Sequence, residues 1–377
     1  MHKFPRRLAA VLLSAALAFS LTACSLLTSI PSVSDTLPVT VSPMAETPSI
    51  PNLEKKYFLS QLSDDELEFC TQVYAGLMAL EESISIGSAG SIDFDRAGVL
   101  IQALFNDCPE LYMCSGEYTI RGALSVSSLE FSYRMEKDEY YNAAREISTL
   151  TAGWREAVEG LSDYEKALYV YDAIAAGCTY SAGDELSDTA YGALIGGRAL
   201  CQGYSKAFQL VMHSLGYRCL FVSSQAMVHG WNIVELDGEF YQLDLTWDDS
   251  GDIGAHAYFN MSDELARKLG HVYDRSEGWE YPVCDSLTLN YYSKNGLTVD
   301  VGESVQEAFF DQLDGLYARG GGRLTLLMID PAQLTELVDY QHDWVSQWNR
   351  DKNLTVSYTR TILEDNDHVY IADFSFS

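Results

Sequence analysis

The sequence predicts an α+β protein in which a cysteine at the start of a helix faces an antiparallel sheet carrying a histidine and an aspartate, with small α/β modules on either side. Three observations lead there. Glycines precede Cys201, and apolar residues follow it at helical spacing. The stretch from Met227 to Leu236 alternates like a strand, turns at Asp237-Gly238 and returns from Glu239. Capping boxes and helix-period runs lie before this region, and a helix–strand–helix pattern lies after it.

The chain opens on a targeting segment. His2, Lys3, Arg6 and Arg7 form a positive n-region, and Leu8 to Leu21 is an apolar run too short to span a bilayer, which takes about 20 residues. Residues 1–23 therefore read as a signal peptide. Leu21-Thr22-Ala23-Cys24 resembles the bacterial lipobox, which implies lipidation of Cys24, export, and anchoring to the cell membrane. Acyl chains would anchor the chain at about 0.8 kcal/mol per buried methylene. Residues 24–53, rich in Ser, Thr and Pro, read as a tether.

Order is expected from Ser63, whose pairing with Glu66 marks a helix start running to Leu80. A second helix covers Phe94 to Phe105 and is broken by Asp107-Cys108-Pro109-Glu110. Strands follow near Glu117–Arg121 and Leu124–Met135, then a helix from Asp138 to Leu161. Residues 54–160 thus form an N-terminal α+β region, 161–294 the core, and 295–377 a C-terminal α/β module. Ser162 and Glu165 cap the core's first helix, which runs to Ala176. The tail reads helix (Ser304–Tyr317), strand (Arg323–Ile329), helix (Pro331–Arg350) and a strand pair around Glu364–Asp367.

The 54 acidic against 24 basic residues give the chain a formal charge of −30. Such a surface repels phosphate backbones, which argues against nucleic acid, and repels anionic head groups, so membrane attachment falls to the lipid.

Cys201 sits at a helix N-terminus, where free backbone N–H groups stabilise a thiolate and can hold an oxyanion. A small buried cysteine at a helix start is the competing reading. A two-residue turn at Asp237-Gly238 pairs Leu236 with Glu239. Extended through Trp247, that register sets His229 opposite Thr246 and Trp231 opposite Asp244, so His229 and Asp244 are diagonal neighbours within side-chain reach. A carboxylate so placed orients an imidazole and stabilises its charge. Val234, Tyr241, Leu243 and Leu245 fall on the other face, as an apolar core.

Cys201-Gln202-Gly203-Tyr204, His229-Gly230-Trp231-Asn232 and Asp244-Leu245-Thr246-Trp247-Asp248 resemble the Cys, His and Asp motifs of the transglutaminase-like superfamily, whose core is papain-like. The resemblance covers about 160–290, from Tyr164-Glu165-Lys166 and Thr189-Ala190-Tyr191 to Tyr258-Phe259-Asn260 and Tyr281-Pro282-Val283-Cys284. Asp107-Cys108-Pro109-Glu110-Leu111 is similar to the N-terminal region of bacterial surface members. The resemblance implies Cys201 as nucleophile, His229 as base and then leaving-group acid, and Asp244 as orienter. It also implies backbone N–H groups at Cys201 for the oxyanion, with Tyr180 a candidate side-chain donor. Gly230 stands where many members have Ala, a change expected to matter little. Trp231 walls the site or belongs to the core; Gln202 and Tyr204 serve the turn and packing.

The implied activity is that of a surface thiol enzyme taking protein or peptide amides through a thioester, with hydrolysis favoured slightly over transfer to an amine. The alternative is a scaffold that keeps the fold without the chemistry. No organic cofactor is implied, and His256 and His271 lie in no paired metal-ligand spacing. The six cysteines besides Cys24 and Cys201 form disulfides or stay as buried thiols.

Overall fold

The computed structural model describes residues 49–87, 92–250, 256–361 and 368–376. The signal peptide, the lipidation residue Cys24 and all but the last few residues of the tether lie outside the described residues.

Two short 3₁₀ turns, Leu53–Lys55 and Leu59–Gln61, lead into α1 (Asp64–Met78), whose capping box is Ser63 with Glu66 as expected. Strand β1 (Ser83–Ser85) precedes α2 (Phe94–Asp107), where the Asp93 side chain accepts from the Arg96 N–H at 2.7 Å. Strands β2 (Cys114–Gly122) and β3 (Val126–Tyr133) join β1 in a three-stranded antiparallel sheet, ordered β1-β3-β2. The long α3 (Lys137–Ala157) follows, then α4 (Asp163–Gly177), opened by the Ser162–Glu165 box.

The core begins with a small parallel ribbon, β4 (Thr179–Tyr180) against β5 (Arg198–Ala199), with α5 (Ala190–Leu194) between its strands. This ribbon sets Tyr180 opposite Ala199, two residues before Cys201. Helix α6 (Cys201–Ser214) then runs back under the sheet formed by β6 (Cys219–Ser224), β7 (His229–Leu236) and β8 (Glu239–Leu243). The chain goes on through α7 (Leu245–Ser250), α8 (Asp263–Lys268) and α9 (Tyr291–Lys294). In the tail, β9 (Thr298–Val299), α10 (Val305–Ala318), β10 (Gly322–Met328), α11 (Pro331–Lys352), β11 (Val356–Thr361) and β12 (Val369–Phe376) make a sheet ordered β11-β12-β10-β9 with two helices. Residues 362–367, between the last two strands, lie outside the described residues.

The hairpin register is the expected one: Leu236 pairs with Glu239, and Val234 with Tyr241. One expectation fails. The return strand stops at Leu243, and 245–250 is helix, so Thr246 and Trp247 are not paired with β7. The reason is local. Asp244 is a helix N-cap, its Oδ1 accepting the N–H of Thr246 at 2.9 Å and of Trp247 at 3.2 Å. His229 instead pairs with Ser224 of β6, a strand the sequence analysis does not assign.

Each face of the central sheet is buried in a different core. Val234, Leu236, Tyr241 and Leu243 pack with α4 and α6. Leu220, Val222, Trp231 and Ile233 pack with the residues of α1, α2 and β3, so the N-terminal segment covers the sheet's second face.

Candidate active site

The nucleophile and the imidazole are brought together by polar stitches just behind them. The Ser205 hydroxyl donates to the carbonyls of Cys201 at 2.8 Å and Gly230 at 3.0 Å. Asn232 Nδ2 donates to the Ser205 carbonyl at 3.1 Å and the Leu220 carbonyl at 3.3 Å. These bonds tie the first turns of α6 to the start of β7. Gly203 allows the close seating of that turn. A Cβ there would stand 2.3 Å from the Ser187 carbonyl oxygen and 2.8 Å from the Ala199 Cβ.

Gly230 does not behave as expected from the sequence. A Cβ at 230 would lie 2.6 Å from two ring atoms of Phe221, so an alanine there displaces that ring. The missing methyl is a fit to Phe221, not a neutral change.

His229 Nε2 lies 2.5 Å from Asp244 Oδ2, and its ring is hydrogen-bonded to Cys201. With Nε2 engaged, Nδ1 is the nitrogen left for the sulfur. Burial opposes the His229 charge, but the bonds to Asp244 and Cys201 outweigh it and raise its pKa to about 10. Burial likewise opposes a Cys201 thiolate. The His229 hydrogen bond and charge, with the backbone N–H groups of Gly230 and Gln202, win and hold the thiol below its ordinary value. Asp244 is 1% exposed, yet its bonds from His229 and His271 outweigh burial and keep its carboxyl below the usual range. The shifts all favour the charged forms along the chain: thiolate, imidazolium, carboxylate.

Tyr180 is half exposed, and burial, then the nearby charges of Cys201 and Asp244, raise its phenol. Its strand pairing sets it opposite Ala199, two residues before Cys201. Trp231 satisfies both readings offered for it: it is fully buried, and its ring stacks on His229 at 5.8 Å between centroids. Gln202 is exposed, and Tyr204 is buried with its hydroxyl bonded to Asp249. Asp248 turns away to Tyr171, whose hydroxyl lies 2.6 Å from its Oδ2. The seven cysteines among the described residues are free thiols, and all but Cys201 are buried.

Sequence reasoning missed His271. Its Nε2 lies 2.8 Å from Asp244 Oδ2, the oxygen that His229 uses, although the residues are 27 apart in sequence. Val228, just before His229, has φ 51° and is 87% exposed, a left-handed conformation costly for a β-branched residue. Single-sequence spacing carries no signal for either feature.

Among the described residues, His229, Asp244 and His271 are the three groups close enough to share a cation, their ligand atoms lying within 4.8 Å of one another. Ligand atoms of a tetrahedral zinc stand about 3.3 Å apart. The 2.5 and 2.8 Å contacts here are hydrogen-bond lengths.

A cysteine on a helix N-terminus set against a sheet-borne histidine, with a buried acid behind it, defines a papain-like thiol site. Residues 154–245 match the model of the transglutaminase-like superfamily, and this segment, which holds Cys201, His229 and Asp244, is a transglutaminase-like core. A solved structure described as the crystal structure of a TGase is similar over 59% of this chain and 59% of its own length, at 14% identity and a TM-score of 0.27, a likeness too slight to bear on chemistry. No curated protein matches the chain.

Proposed function

We propose that the chain is a cell-surface thiol enzyme acting on peptide or side-chain amides. The observation carrying this is the Cys201–His229–Asp244 chain, with the thiol held low and the imidazole held charged. The Cys201 thiolate attacks the amide carbon. Backbone N–H groups of the first turn of α6, with the Tyr180 hydroxyl, receive the developing oxyanion. The C–N bond then breaks, the amine leaving with a proton from His229 Nδ1, and a thioester remains. Neutral His229 next takes a proton from the acceptor, which attacks the thioester and releases the thiolate. Water as acceptor gives a peptidase or amidase; a lysine amine gives a cross-link. The half exposure of Tyr180, paired opposite Ala199 just ahead of Cys201, supports water as acceptor.

We place the enzyme on the bacterial membrane through a lipid on Cys24, with residues 24–53 as its tether, on the strength of the lipobox resemblance. No helix among the described residues is long and apolar enough to cross a membrane.

The test incubates the full chain with a labelled primary amine and a glutamine-containing protein. Release of cleaved product without amine incorporation is expected, and C201A abolishes it. Incorporation without cleavage replaces hydrolysis with transamidation. A Cys201 no faster toward iodoacetamide than free cysteine at neutral pH rejects the enzyme altogether and favours the scaffold.

A further inference from the structure

We infer that His271 is a positioning residue of this site, acting through Asp244; the inference rests on the thiol-enzyme reading above. Asp244 takes four hydrogen bonds. Oδ1 accepts the N–H groups of Thr246 and Trp247, and Oδ2 accepts from His229 and His271. The helix cap alone holds Oδ1 and leaves the carboxylate free to turn about that contact. His271 removes this freedom by reaching Oδ2 from a second direction, its ring inclined 71° to that of His229. The oxygen therefore stays where His229 Nε2 needs it.

His271 is itself fixed. Its N–H donates to the Ala266 carbonyl at 2.7 Å, closing the end of α8 just after Gly270, which has φ 85°. Its Nδ1 lies 3.2 Å from the Leu269 carbonyl oxygen. Its ring, 0% exposed in its side chain, is enclosed by Trp231, Trp247 and Tyr258 at centroid distances of 5.0, 4.4 and 5.2 Å. A dry aromatic cage is a costly place for an imidazole unless a polar group needs it there, since phenylalanine would fill the space without the desolvation. Asp244 Oδ2 is that group.

The experiment separates donor from filler. Iodoacetamide labelling of Cys201 in the full chain, resolved by mass spectrometry, is followed alongside thermal unfolding for the native chain, H271Q and H271F. Gln keeps an N–H donor at the position of Nε2; Phe keeps the volume and no donor. A packing role makes H271F at least as reactive and as stable as H271Q. The positioning role splits the two readouts: H271F melts no lower than H271Q yet labels about tenfold more slowly, as expected when a catalytic group is misplaced, while H271Q stays close to native. If H271F does not fold, H271L serves as the donorless variant. Equal labelling of the Gln and donorless variants beside a fast native chain overturns the role of His271 alone. A native Cys201 no faster than free cysteine overturns the thiol-enzyme reading and the inference with it.

Discussion

Among the ionisable side chains of helix α6, Cys201 and Lys206 are treated by the molecule in opposite ways. At Cys201 burial opposes the charge and loses, because a hydrogen-bonded imidazolium and two backbone N–H groups stand against the sulfur. At Lys206 burial wins. Its ammonium is pushed down to about 8 despite the charges of Asp107, Cys108 and Glu110, since its direct partners are the carbonyls of Phe105 at 2.5 Å and Asn106 at 2.9 Å. Those carbonyls lie at the end of α2, so Lys206 fastens the N-terminal segment to the core. The contrast shows that burial sets the default, and that a charged group in direct contact, joined by backbone N–H groups, reverses it where carbonyls and more distant charges do not. The first turn of the helix is built for reaction and the next for attachment.

The largest effect that can break this comparison is at Asp244. D244N keeps the shape but leaves His229 without its counter-charge, and a fall in hydrolysis of roughly thousandfold or more is expected from the behaviour of triad carboxylates. A loss under tenfold would mean that Asp244 does not sustain the charged pair. Steady-state rates with a fixed amide substrate decide it.

Next in size is K206M, which is expected to lower stability by about 1–3 kcal/mol, the cost of leaving buried acceptors unpaired. Iodoacetamide labelling of Cys201 should hold near native. Lys206 also carries a pH signature. Its folded pKa of about 8 lies below its ordinary 10.5, so between these values the unfolded chain binds more protons than the native one. Native stability therefore gains with rising pH across that window, and the gap between native and K206M widens. Denaturant melts at pH 7, 8 and 10 measure it. A gap that narrows with pH would give Lys206 the wrong sign, and a collapse of Cys201 labelling would merge the two turns of the helix into one site.

The smallest effect is at Val228. V228N puts a residue tolerant of left-handed backbone at φ 51° and is expected to stabilise by about 1 kcal/mol. A lower melting temperature would show that the valine side chain supplies more than its backbone costs.

The reactive chain was legible because its elements carry strong local signals: a glycine-flanked cysteine ahead of an apolar helix, and a two-residue turn that fixes register. Three things were not. Strand β6 is buried at five of its six positions, so it shows no alternation to read. Helix α7 is too short to declare a period, and the apolar-polar run from Glu239 continues smoothly into it, so its N-cap passed for a strand residue. His271 meets Asp244 only through the path of the intervening chain, and no spacing rule reaches that far.

The bonds from Ser205 and Asn232 have a consequence for how the protein fails. They fasten sulfur and ring to strands at the centre of two cores, away from fraying ends. Warming should therefore leave reactivity intact until the whole core gives way, so that loss of turnover and loss of tertiary structure trace a single curve.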